Sequence, residues 1–270
     1  MIRKHYIDTP LGQLHVRTLA AETKAGKPPL VCLHPSPYSG AYFDTIMPLL
    51  NGQRDIVALD YPGYGNSYVP TSQPDISDYA AAVHTVIEDI TGHQLYGGRV
   101  DLLGFHTGCL VGVETAIRFS QEIRHLVLCD IPYFLPKMQA SLLASSASPT
   151  TLDMTPSSID KAWKMSVSSR LNIIPEDRIF ELLGEHLRHG GHDHFGFDAA
   201  FRYPCDQQFK AVKTPTTIIA TQSGLLQATL EAAKTIPHAR LIETPEVTKL
   251  VFETGAALIA EKIQNAIDND

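Results

Sequence analysis

The sequence predicts an α/β protein, a mostly parallel central sheet with helices on both faces, and three observations carry that expectation. Short apolar runs alternate with longer amphipathic stretches, the sign of parallel strands connected by covering helices. The 270 residues are 44% hydrophobic and 19% charged, enough apolar material to bury one large core with an appended unit. Residues from about 132 to 204 break the alternation, which predicts a helical insertion between two strands of the sheet.

Arg3 to Thr18 contains the turn DTPLGQL between two short alternating runs and predicts an opening hairpin. Pro29–His34, Asp55–Leu59, Val100–Leu103, Ile123–Cys129 and Thr216–Ala220 are apolar on both faces, as buried parallel strands require. Helices are expected over Ala41–Leu50, Ile76–Ile90, Leu110–Phe119, Gln227–Thr235 and Gly255–Ile267; the last places Leu258, Ile259, Ile263 and Ile267 on one face. The expected organisation is a first core part over 1–131, a helical lid over 132–204 and a last core part over 205–270. No internal repeat is visible, and SSASPTT is too short for a linker.

A net charge of −7 and the lack of any basic run argue against a nucleic-acid surface, which needs excess Lys and Arg to neutralise phosphates. Cys32, Cys109, Cys129 and Cys205 show no CxxC spacing, so neither a zinc knuckle nor a disulfide framework is indicated. The N-terminal segment lacks the apolar run of a signal peptide, and no stretch approaches the roughly 20 apolar residues of a membrane span. A cytoplasmic protein with no membrane or nucleic-acid partner is expected, a monomer or homodimer. Twelve histidines raise the question whether any of them is chemical.

Gly104-Phe105-His106-Thr107-Gly108 follows the run VDLL and precedes the helical stretch CLVGVETAIRF. A strand, a sharp turn flanked by glycines and a helix make the context of a nucleophile elbow, with the tip residue presented at the edge of the sheet. From here the chain resembles the α/β-hydrolase superfamily over nearly its full length. Leu33-His34-Pro35-Ser36-Pro37 is similar to that family's oxyanion loop, with Pro35 where Gly is usual, and Asp60-Tyr61-Pro62-Gly63-Tyr64-Gly65-Asn66-Ser67 to its D-x-P-G-x-G-x-S turn. The helical insertion falls where the family carries its lid.

The chain departs from the family at the triad. His106 stands at the tip in place of the usual Ser, Asp or Cys; Ser223 stands near the family's acid position and Lys249 near its histidine position. An ordinary Ser-His-Asp hydrolase is therefore not expected. A helix N-terminus disfavours a second positive charge, so His106 should be neutral, and neutral imidazole is both base and nucleophile near pH 7. Asp130, ending the run HLVLCD beside the elbow strand, is the candidate partner; the resemblance implies this, since haloalkane dehalogenase relatives take their acid there. The alternative is an Asp that merely caps a turn.

The resemblance also implies an oxyanion hole from the backbone N–H groups of Thr107 and Ser36, which survives the side-chain substitutions. Ser36, His106 and Asp130 as a rewired set is a further alternative. His34 reads as a tie between its loop and nearby backbone, although its position borders the pocket. His186, His189, His192 and His194 suit an ordinary helix C-terminus better than a metal site; His192 or His194 reaching the pocket is the sharper alternative. Tyr38, Phe105, Tyr133, Phe134, Trp163 and Phe195 are candidate pocket walls, with lid packing as the plainer reading. The sequence thus favours a hydrolase-like enzyme acting on a small acyl or carbonyl compound without metal or cofactor. A cofactor-free lyase or isomerase and a non-catalytic small-molecule-binding member are the alternatives.

Overall fold

Eight strands form one sheet in the order β1-β2-β4-β3-β5-β6-β7-β8 in the computed structural model, which describes residues 1–23, 25–92, 98–144 and 152–268. The opening hairpin is β1 (Arg3–Thr9) and β2 (Gly12–Leu19), paired antiparallel, and β2 pairs antiparallel with β4 (Ile56–Leu59). From there the sheet is parallel: β3 (Leu30–Leu33) lies between β4 and β5 (Val100–Phe105), followed by β6 (Ile123–Cys129), β7 (Thr216–Thr221) and β8 (Arg240–Thr244).

Every residue of β3, β4, β5 and β7 is buried, because helices cover both faces. The period-two alternation of a strand divides them into two cores. Val31, Leu33, Val57, Leu59 and Leu102 face α2 (Ile76–Thr91) and α3 (Thr107–Arg118), packing with Val83, Val86, Leu110 and Val113. Leu30, Cys32, Ile56, Ala58, Leu103 and Phe105 face the other way, against Phe43, Phe252 and the Ile259, Ile263, Ile267 stripe of the closing helix Ala256–Asp268. Each of those isoleucines contributes roughly 1.5–3 kcal/mol by leaving water.

Two helices differ from the sequence expectation. Ala41–Leu50 divides into a 3-10 turn over Gly40–Phe43 and a single helical turn, α1 (Met47–Leu50), because Pro48 has no N–H to continue a longer helix. The elbow helix α3 begins at Thr107, three residues before the apolar periodicity does, since Thr107 and Gly108 form its first turn. Between β6 and β7 the chain runs through α4 (Pro136–Ala144), α5 (Pro156–Trp163), a π-turn over Lys164–Ser168, α6 (Glu176–Arg188), α7 (Phe195–Arg202) and α8 (Cys205–Lys210). The SSASPTT run lies outside the described residues. After β7, α9 (Leu226–Thr235) leads to β8, and the closing helix is α10. Among the described residues no helix is long and apolar enough to cross a membrane.

Candidate active site

The tip of the elbow is a strained position. His106 has φ 49° and ψ −120°, a conformation L-residues rarely adopt and one that costs about 1–3 kcal/mol. Close packing holds it there. A Cβ on Gly108 would stand 1.9 Å from the Leu33 carbonyl oxygen, and one on Gly104 would stand 2.6 Å from the Gly108 carbonyl oxygen. Only glycine lets strand, turn and helix approach so closely. The buried thiol of Cys109 lies 3.3 Å from both the Gly104 and Cys129 carbonyl oxygens, tying the helix start to the ends of β5 and β6.

His106 is half-buried, and its ring packs on Phe105 with centroids 4.0 Å apart. Burial holds the imidazole down to about 4, with the Asp130 carboxylate pulling the other way. The ring is therefore neutral across the physiological range. Thr107, the first residue of α3, presents an N–H with no acceptor inside its own helix.

Asp130 also has a positive φ, 51°, and is fully buried. Its carboxylate accepts from the Thr221 backbone N–H at 2.9 Å and the Thr221 hydroxyl at 2.6 Å. It lies close enough to act on His106 electrostatically, yet both its oxygens are engaged by β7 and it makes no hydrogen bond to the imidazole.

His34 is fixed on both nitrogens: Nδ1 lies 3.1 Å from the Pro35 carbonyl oxygen, and Nε2 accepts from the Tyr61 N–H at 3.1 Å. Its ring lies 4.0 Å from that of Tyr61, and burial lowers its pKa to about 4. It is a tie between the β3 and β4 loops rather than a free wall of the site. Ser36 is buried beneath the start of α7: a Cβ on Gly196 would stand 1.9 Å from Ser36 Oγ, and the Gly196 N–H donates to the Tyr64 hydroxyl at 2.6 Å. Asp60 of the adjoining turn takes bonds from His15 Nδ1 at 2.7 Å, Gly40 N–H at 2.8 Å and Asn66 N–H at 2.9 Å. The D-x-P-G-x-G-x-S turn is thus a structural knot.

The other candidate residues separate. Phe105 is buried in the second core between Tyr42, with ring centroids 5.6 Å apart, and Phe252, at 4.7 Å. Tyr38 is buried and bonds Ser166 Oγ at 3.2 Å. Tyr133 turns to Asp206 and Thr235, and Phe134 packs on Phe201; both belong to the packing of the insertion on the core. Trp163 is 44% exposed and lines a shallow apolar cavity of about 220 Å³ with Val167, Leu171 and Phe180. Its indole is exposed on the surface of the insertion. His192 and His194 flank Phe195, with centroids 5.1 and 5.0 Å away, and His194 Nε2 lies 3.9 Å from the Asp198 carboxylate. Ser223 Oγ accepts from the Leu225 N–H at 3.2 Å in the turn before α9, and Lys249 is exposed after β8. Among the described residues no group of three or more His, Cys, Asp or Glu gathers to hold a metal ion.

Three residues near the site carried no signal in the sequence. Tyr42, stacked on Phe105, and Arg170, whose guanidinium lies over the Tyr38 ring at 5.5 Å, come from segments with ordinary helical composition. Thr221 completes an otherwise apolar strand and meets Asp130 only through the parallel register of β6 and β7.

An elbow tip of this geometry, above a parallel sheet entered through an antiparallel hairpin, defines a class of fold. A family model described as alpha/beta hydrolase fold matches residues 28–163, and the chain belongs to that family. It is 30% identical over 110 residues to a human serine hydrolase-like protein, covering 40% of this chain and 52% of that protein. It is 31% identical over 136 residues to a haloalkane dehalogenase of Mycobacterium marinum, covering 50% of this chain and 40% of the dehalogenase. The chain thus spans about half or less of the length of these curated relatives. Among solved structures it resembles an E-2-(acetamidomethylene)succinate hydrolase, with a TM-score of 0.76 at 20% identity over 99% of this chain and 100% of the other. It also resembles the enol-lactonase of Burkholderia xenovorans, with a TM-score of 0.78 at 15% identity over 98% of this chain and 100% of the other.

Proposed function

We propose that this protein is an enzyme acting on a small acyl or carbonyl compound, with His106 as base or transient nucleophile and the Thr107 and Ser36 N–H groups as oxyanion donors. The observation that carries the reading is the elbow tip: a neutral imidazole held at φ 49° with no hydrogen bond to its ring among the described residues, at the point where this fold presents its reacting atom. Strain of that kind persists only where the surroundings enforce it, and it concentrates at sites of function.

An imidazole with a pKa near 4 is a weak base in the resting protein. The reaction itself changes that. As negative charge develops on a substrate oxygen against the backbone donors, a nearby imidazolium gains an opposite charge in a site of low dielectric. Proton transfer is then favoured in the transition state and not before it, which is the differential stabilisation catalysis requires. Asp130 contributes at a distance, its charge stabilising the imidazolium while Thr221 holds the carboxylate in place. The helices between β6 and β7 act as a lid over 132–204 in this reading, and the small molecule is the protein's partner.

The test is turnover by wild type and His106→Ala on a panel of short-chain esters, thioesters and enol lactones, with circular dichroism to show that the variant is folded. Loss of turnover in the folded variant is expected; equal turnover would overturn the reading. Product formed in ¹⁸O-labelled water separates hydrolysis, which incorporates the label, from a lyase or isomerase reaction, which does not. Ser223 in its turn and the exposed Lys249 favour a second reading, a binding member without chemistry. Ligand-induced thermal stabilisation with no turnover across the panel would establish that reading instead.

A further inference from the structure

Three arginines are buried among the described residues, and two have carboxylate partners. Arg17, 2% exposed, pairs with Asp44 at 3.1 Å; Arg54, 3% exposed, pairs with Asp101 at 2.6 Å and with Asp268. Arg170, 6% exposed, has none. Its Nη1 donates to the Met165 carbonyl at 2.9 Å, the Ser166 carbonyl at 3.0 Å and Ser169 Oγ at 3.3 Å, all neutral oxygens at the end of the π-turn. Nε is buried with no acceptor among the described residues, and the Tyr42 hydroxyl lies within hydrogen-bond reach of the guanidinium. A buried charge is costly unless paired, and dipoles on one nitrogen satisfy a donor without neutralising the cation.

The guanidinium lies on the site side of the insertion. It sits over Tyr38, whose ring is 5.1 Å from Tyr42, and Tyr42 stacks on Phe105, the neighbour of His106. Its charge reaches the groups around it. His186, bonded through Nδ1 to Ser166 Oγ at 2.9 Å, is held down to about 4, by burial first and by Arg170 second. The nearby carboxylate of Glu253 does not supply the missing charge, since Arg178 Nε at 3.0 Å and Thr45 Oγ1 at 2.8 Å take its oxygens.

We infer that Arg170 is the recognition residue for an anionic substrate: the ligand carries a carboxylate that supplies the charge partner this buried guanidinium lacks, while its acyl or carbonyl end lies at His106. A guanidinium fork matches a carboxylate in two parallel bonds and stays charged at any physiological pH. The reacting end rests on the proposed function; the carboxylate pairing does not depend on it.

Binding is the readout, so that the two can fail separately. Acetate, butyrate, succinate and glutarate are titrated calorimetrically at constant ionic strength against acetamide, butyramide, succinamide and glutaramide. Wild type is expected to bind at least one acid ten times or more tightly than its amide, and His106→Ala to keep that preference whether or not turnover is lost. Arg170→Gln should abolish the preference. Arg170→Lys, which keeps the charge and loses the fork, should weaken acid binding several-fold and covers the case in which the Gln variant does not fold. Equal binding of acids and amides by wild type, or an undiminished preference in either folded Arg170 variant, would overturn the inference.

Discussion

The C-terminal ends of β5 and β6 lie side by side and carry the same backbone irregularity with opposite consequences. His106 follows β5 with φ 49° and Asp130 follows β6 with φ 51°, both non-glycine residues in a region that favours glycine. At Asp130 the strain is offset within the protein: the side chain is fully buried and both carboxylate oxygens are bound by Thr221. At His106 the strain is enforced by the glycine packing beneath it, and among the described residues the ring it presents has no hydrogen-bond partner. A strained residue whose side chain is satisfied reads as structure; one held equally hard with its side chain free reads as a site.

The largest expected effect falls on the β5 end. Replacing His106 by Ala should lower turnover at least about a thousand-fold, roughly 4 kcal/mol of transition-state stabilisation, in steady-state assays. His106→Gly should remove the same activity and raise stability by about 1 kcal/mol in urea unfolding, since Gly accepts the positive φ without strain. Gly108→Ala should cost more than about 3 kcal/mol or prevent folding, because its Cβ would meet the Leu33 carbonyl at 1.9 Å.

Asp130→Ala comes next. It should cost about 2–3 kcal/mol by removing a charged acceptor from two buried donors, and Thr221→Val about half of that, by the same measurement. A stability loss at Asp130 with only a modest loss of turnover would sharpen the contrast between the two strand ends. The reverse outcome would break it.

Acid sensitivity follows from the histidines packed around the site. His34 and His186 are held near 4 and His189 near 3 in the folded protein, against an ordinary value near 6.5. Between those values the unfolded chain binds more protons, so stability is full above about pH 6.5 and falls on acidification toward pH 4. Each buried histidine contributes up to about 1.4 kcal/mol per pH unit. Asp44, raised to about 6 by burial, and Asp101, also raised by burial, oppose this over part of the same window. Thermal unfolding scans from pH 7.5 to 4.5 should therefore show a falling midpoint. Ser223→Ala is the smallest change, below about 1 kcal/mol in stability and without effect on turnover, because its hydroxyl only holds a turn.

Strand positions and the tight strand-turn-helix around His106 were legible in the sequence for a physical reason. Buried parallel strands must be apolar on both faces, and a turn that tight must be flanked by glycine, so both leave a local signature. The tip at His106 could be located because the glycines locate it. The Asp130 carboxylate was legible as a neighbour of His106 but its engagement was not, since Thr221 meets it only through the register of two strands distant in sequence. The aromatic and cationic surroundings were hidden for a related reason. Tyr42, in a 3-10 turn, and Arg170, in the turn after the π-turn, are 128 positions apart and brought together by how the insertion folds over the sheet, which periodicity does not encode. Trp163 shows the converse, a large aromatic in the insertion that faces outward.

His106 thus stands neutral, without a hydrogen-bond partner among the described residues, while Asp130 is committed to Thr221. A ¹⁵N NMR titration of the His106 imidazole, assigned by comparison with His106→Ala, tests this directly. A neutral ring from pH 8 down to a midpoint near 4 is the predicted result. An imidazolium at pH 6.5 or above, hydrogen-bonded to the Asp130 carboxylate, would contradict it.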